Sequence, residues 1–245
     1  MNELKLQELV VHMQIQATSM EILYEATFSG PALELVTNIS GAIRAFCGKI
    51  TPRYPIRSED IRIVNSPVLE DIRIKIALFN RNARIELSSE KMSVTFQAVT
   101  SADISIVEDC LGLITSALAE FAKDVIISQD KIGLTALFKA ESTVDEVKAY
   151  FSRYAPQEQL IGEAVVAFPI VRAESGIRLT LIEPNESAVT SFDFAPAWRA
   201  PSLLLAMSCY FQGNFEASFS EKVNYIKTKL QWIFSKIDIQ TPAPL

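Results

Sequence analysis

Residues 101–140 read SADISIVEDCLGLITSALAEFAKDVIISQDKIGLTALFKA, and inside this stretch the hydrophobic period changes. In Ser101–Lys123 the apolar positions Ile104, Val107, Leu111, Ile114, Leu118 and Phe121 recur at steps of three and four, as one buried helical face requires. From Lys131 the period becomes two. Ile132, Leu134, Ala136 and Phe138 alternate with Lys131, Gly133, Thr135, Leu137 and Lys139, the pattern of a strand buried on one face and partly on the other. A long helix that closes one half and a strand that opens the next make this stretch the junction of the chain.

Upstream of the junction, Leu9–Gln16 alternates as a strand, and Ile22–Phe28 is a β-branched and aromatic strand stopped by Ser29-Gly30-Pro31. A helix from Ala32 to about Cys47 follows, with Leu35, Ile39, Ile43 and Phe46 on one face and Gly48 at the C-cap position. Pro52, Pro55 and Pro67 make Thr51–Pro67 an irregular connection holding a short strand at Ile61–Val64. Ile72–Leu78, Ile85–Leu87 and Lys91–Ala98 then alternate as an antiparallel meander with one wet face, and the long helix packs on its dry face.

Downstream the order returns. Thr143-Val144-Asp145-Glu146 has capping-box spacing and starts a short helix to about Tyr154. Strands are expected at Gly162–Val171, Ile177–Ile182 and Ala188–Phe194, then an apolar helix at Ser202–Phe211. A last helix, Phe219–Ile237, opens on a second capping box, Ser218 to Glu221, and carries the stripe Val223, Ile226, Leu230, Ile233 and Ile237. The expected fold is α+β, with two similar halves of roughly β-α-β-β-β-α order, residues 1–125 and 126–245, their antiparallel sheets packed on amphipathic helices. Ile22, Ala26 and Phe28 share the spacing of Ile132, Ala136 and Phe138, so an internal duplication, packed as two domains or as one unit, is consistent with the pattern. No residue motif ties the chain to a family.

Composition narrows the function. The 245 residues are 49% hydrophobic with mean hydropathy +0.20, enough to bury a large core. Net charge is -6 with a pI near 5.0, which disfavours a general coating of nucleic acid. Cys47, Cys110 and Cys209 stand far apart among apolar residues and read as buried thiols of a reducing cytoplasm. The N-terminal residues have no signal-peptide pattern, and no apolar run is long enough to cross a bilayer, so cytoplasmic location and no membrane partner are expected.

Catalytic constellations are scarce. The single histidine, His12, has no acidic neighbour at strand spacing, and neither a G-x-S-x-G elbow nor a glycine-rich phosphate loop occurs. No cofactor and no metal are expected. The acidic pairs Glu59-Asp60, Glu70-Asp71 and Glu108-Asp109 read as solvated surface charge.

Two features read as binding. Between Arg44 and Lys91 there are ten Lys and Arg against six acids, an excess of four, and Arg73, Lys75, Arg84 and Lys91 fall on the wet face of the meander. That face could serve as a platform for an anionic partner, nucleic acid included, although exposed sheet faces and edges ordinarily carry Lys and Arg for solubility and against edge pairing, which is the favoured reading. Trp198 with Arg199, in a Pro-flanked loop, and Trp232, off the stripe of the last helix, are candidate interface anchors. The reading is a non-enzymatic protein-binding or assembly module, a homo-oligomer among its expected forms. The alternative is a small-ligand binder or enzyme with a carboxylate and arginine site between the halves.

Overall fold

The computed structural model describes residues 13–154, 176–183, 186–196, 202–212, 217 and 219–240. The predicted strand Gly162–Val171, the loop with Trp198 and Arg199, His12, Ser218 of the second capping box and the tail 241–245 lie outside them.

Strand β1 (Met13–Phe28) joins Met13–Gln16, the described part of the first predicted strand, to the second, with register shifts near Ala17–Ser19 and Met20–Ile22 that let it bend. Helices α1 (Leu33–Thr37) and α2 (Ile39–Ile50) follow. The single helix expected over Ala32–Cys47 is broken at Asn38, whose side-chain oxygen accepts from the Gly41 N–H at 3.1 Å and starts α2 afresh. A Cβ at position 41 would overlap the Asn38 amide, so glycine is what admits this cap. Gly48 does not end α2, which runs on to Ile50.

After the proline-rich connection come β2 (Ile61–Val64), β3 (Arg73–Leu78), β4 (Ala83–Leu87) and β5 (Lys91–Val99). The alternation in β5 fails only at Ala98, where φ is +54°. Helix α3 (Ile104–Phe121) is entered through one tight turn at Ser101–Asp103, where the Asp103 carboxylate accepts from the Thr100 N–H at 2.9 Å. The second half runs β6 (Ile127–Ala140), α4 (Val144–Tyr154), β7 (Ile177–Ile182), β8 (Ala188–Pro196), β9 (Ser202–Gln212), α5 (Phe219–Lys236) and a two-residue β10 (Ile239–Gln240). The capping box of α4 forms as read: Thr143 N–H donates to Glu146 at 2.7 Å and Glu146 N–H to the Thr143 hydroxyl at 3.3 Å.

Ser202–Phe211 is a strand and not the apolar helix expected there. Leu203, Leu205, Met207, Cys209 and Phe211 are buried on the helix side, while Leu204 and Ala206 keep the other face apolar and hide the alternation. A continuous apolar run of about ten residues is ambiguous by period, and Leu, Ala and Met favour helix. Pairing to β6 on one side and β8 on the other decides the matter.

The strands form one sheet in the order β2-β3-β4-β5-β1-β6-β9-β8-β7, antiparallel throughout, with β10 beside β1 in parallel. The two halves meet at the β1–β6 pair. Taking Ile22 as the counterpart of Ile132, Leu23 corresponds to Gly133, and these two residues face each other across that pair. Ile22 faces Leu134 and Tyr24 faces Ile132. A local twofold axis through Leu23 and Gly133 therefore exchanges β1 with β6, β5 with β9, and the two eighteen-residue helices α3 and α5. The helices cover one face of the sheet. The other face is open and carries the charged strand residues, apart from Asp130, which lies on the helix side and pairs with Lys222.

Candidate functional site

Between α3 and α5, over the central strands, lies an apolar cavity of about 70 Å³. Its floor is Met20 and Ile22 from β1 with Ile132 and Leu134 from β6. Its walls are Val107 and Leu111 of α3 and Val223, Ile226 and Leu230 of α5. The three-four stripes of the two helices place these side chains inward, and the strand period places the floor. Polar groups enter only at Glu108 and Lys227, which pair with each other across the gap at 3.2 Å. Each is about one-third exposed. On the helix side the space between the halves is thus a greasy slot crossed by one Glu–Lys pair, while on the open face a separate depression at the junction is lined by Glu21, Lys131, Arg178 and Asp193.

Glu108 and Asp109, read from the sequence as solvated surface charge, are each about one-third exposed and both are paired. Asp109 receives the Arg53 guanidinium and, at 2.8 Å, the Tyr54 hydroxyl, tying α3 to the end of α2. These donors hold the Asp109 carboxyl below the usual range, while burial and the bond to Asp109 push the Tyr54 phenol up to about 12.

A chain of polar contacts fastens α5 to the second half. Lys222 reaches Asp130 of β6 at 2.8 Å, and both side chains are nearly buried, 13% and 7% exposed. Burial, and then the nearby Asp130 carboxylate, hold the Tyr24 phenol neutral well above its ordinary value. Tyr225 and Lys229 both donate to Glu183 at 2.6 Å, Lys229 first and Tyr225 second in keeping that carboxyl low. Burial raises the Cys110 thiol to about 12 and the Cys209 thiol to about 11, Cys209 lying 3.2 Å from the Thr190 hydroxyl. Nucleophilic catalysis needs the opposite shift, toward the thiolate. Among the described residues no three His, Cys, Asp or Glu side chains converge on a metal-sized space, and no helix is long and apolar enough to cross a membrane.

The lowered carboxylates set an acid limit. Asp103, Asp109, Glu146 and Glu183 are more acidic folded than unfolded, so the native state gains from their charged forms above the unfolded carboxylate range and loses that gain as pH falls through the lower folded values. The urea midpoint is expected to drop between about pH 5 and about pH 3. Glu183→Gln should be less stable at neutral pH and show a shallower drop. An equally steep profile in Glu183→Gln would assign the acid limit to other groups.

The sequence-predicted binding residues are placed as follows. Arg73, Lys75, Arg84 and Lys91 all stand on the open face of the sheet, as the alternation required. Arg73 and Lys75 share Glu86 at 3.9 and 3.1 Å, and Lys91 pairs with Glu25 of β1 at 2.7 Å. Arg84 keeps no carboxylate within ion-pair distance among the described residues. Trp232 does not widen the buried face of α5: it is 49% exposed, with the Lys236 ammonium 5.9 Å from its ring. The sequence reading missed the slot itself, whose only advance signal was the pair of long apolar helical stripes.

Fold and site together define an α+β protein of two similar halves sharing one sheet, with its sheltered space at the junction. No protein-family model matches the chain, and no curated protein matches it. Among solved structures, the di-domain ARO/CYC StfQ from the steffimycin biosynthetic pathway is similar over 88% of this chain and 95% of that one, at 10% identity and a TM-score of 0.21. A likeness that slight says nothing about what this chain does.

Proposed function

We propose that the protein is a non-catalytic binding module that takes a small apolar ligand, or the apolar end of a larger one, between α3 and α5. The observation that carries this reading is the slot at the local twofold, lined almost wholly by aliphatic side chains and crossed by a single exposed ion pair. At about 70 Å³ the space is well under the roughly 300 Å³ of an ordinary small-molecule site, so a ligand of that size requires the two helices to part. Parting them breaks Glu108–Lys227, a pair about one-third exposed, of the kind worth about 0–1 kcal/mol. Burial of ligand and slot surface, at about 25 cal/mol per Å², offsets that readily.

The test is a titration with the neutral probe N-phenyl-1-naphthylamine. Saturable one-to-one binding is expected, weakened at least about tenfold by Leu134→Phe, since an added ring fills the space, and unaffected by changes on the open face. Absence of saturable binding, or binding indifferent to Leu134→Phe, would remove the slot from consideration.

Self-association is the second reading, supported by the half-exposed Trp232 on the outer side of α5. Light scattering on Trp232→Ala and the unaltered chain across concentration tests it: a dimer lost in the variant supports a copy-to-copy contact there, and a monomer throughout excludes one.

A further inference from the structure

On the open face, at the β2 side, a polar depression of about 290 Å³ opens over Ala77. Its cause is local. Ala77 is a methyl group set among long side chains: its cross-strand partner is Arg84, and Lys75 and Arg62 pair with each other one step along. Arg81 closes the remaining side from the β3–β4 turn. Glu59 and Asp60 also line the space, yet both are engaged with their own turn. Asp60 accepts the Arg57 N–H at 3.0 Å, and Glu59 lies 3.7 Å from the Arg57 guanidinium. Lys75 leans on Glu86, whereas Arg62, Arg81 and Arg84 have no carboxylate within ion-pair distance among the described residues.

Arg81 is held there at a cost. Phe79, Asn80 and Arg81 have φ of +51°, +53° and +75°, three successive non-glycine residues in the left-handed region. Such residues are disfavoured and persist where surrounding structure determines them. The anchors are visible: the Phe79 ring packs edge-on against Tyr54 at 5.1 Å and near Phe96 at 6.4 Å, and Asn82 accepts the Gln97 N–H at 2.7 Å. The turn thus carries a third arginine over the depression in a chain whose net charge is negative.

We propose that this depression binds a di- or triphosphate group. Arginine forks match phosphate oxygens in a bidentate manner and stay charged at any working pH. Three of them free of carboxylates, around a space floored by alanine, fit a small ligand with several anionic oxygens. The site is separate from the apolar slot, which lies on the opposite face of the sheet, so failure of one leaves the other standing.

Calorimetric titration with inorganic pyrophosphate is the test, with ADP as a second arm and sulfate as a third. One-to-one binding is expected, with sulfate weaker at least about tenfold because it offers a single tetrahedral group. ADP binding more tightly than pyrophosphate would place the phosphates on a nucleotide, and equal binding would place them on free polyphosphate; either outcome supports the site. Arg81→Gly is the decisive variant, since glycine relieves the left-handed φ while deleting the guanidinium. Its thermal midpoint should be kept or raised while pyrophosphate affinity falls at least about tenfold, a combination that general destabilisation cannot produce. Arg84→Gln should weaken binding similarly, and Arg53→Gln, on the helix side, should not. No one-to-one binding of pyrophosphate, or affinity unchanged in Arg81→Gly, would overturn the proposal, as would a single-stranded oligonucleotide bound equally by Arg81→Gly and the unaltered chain.

Discussion

Phe194→Ala is expected to destabilise the protein by about 3–5 kcal/mol, the cost of removing a buried phenylalanine from a site that cannot collapse. Phe194 has no exposed surface. Its ring is 5.4 Å from Phe151 of α4, 5.9 Å from Phe234 of α5, 6.1 Å from Phe192 of β8 and 6.4 Å from Phe138 of β6. Four elements therefore share one ring, and none can move inward without breaking sheet pairing or helix contact. Edge-to-face and tilted pairs add to the area term. Urea unfolding followed by circular dichroism reads the effect directly. A loss under about 1 kcal/mol would mean that α4 and α5 repack over the gap, and that the second half is softer than its aromatic core implies.

The second large effect is expected at the Asp130–Lys222 pair. Lys222→Met leaves a carboxylate at 7% exposure without its ammonium partner. Removing one partner of a buried pair typically costs about 3–5 kcal/mol, because the other charge stays desolvated. Asp130→Asn strands the ammonium in the same way. The double variant should lose less than the sum of the two, by about 0.5–3 kcal/mol of coupling. Strict additivity would show that Lys222 swings to water when Asp130 is neutralised, and that the pair does not fasten the start of α5 to β6.

Both predictions depend on facts of different legibility. The helical stripes of α3 and α5, the meander β3–β4–β5, the Thr143 capping box and the outward direction of Arg73, Lys75, Arg84 and Lys91 follow from period and local hydrogen-bonding chemistry alone. Each involves residues a few positions apart, so the information is in the neighbourhood. The break at Asn38 escaped because a short polar side chain within an apolar stripe reads as a solvated helix position until its cap to Gly41 is seen. The strand Ser202–Gln212 escaped because its two faces are both apolar, and only its place between β6 and β8 separates strand from helix.

The two proposed binding sites were the least legible. Glu108 and Lys227 are over a hundred residues apart, and so are Tyr24 and Asp130. The arginines of the open-face depression converge only when β2, β3 and β4 are laid in register and the left-handed turn sets Arg81 beside them. By itself, the sequence determined the type of most elements and which face of each is apolar, because these are set by periodicities along the chain. The tertiary structure alone decided that the halves share one sheet, that their meeting place is a greasy slot under a Glu–Lys pair, and which cations are left without partners. Those depend on strand register and helix packing, where one residue of shift would turn every side chain to the opposite face.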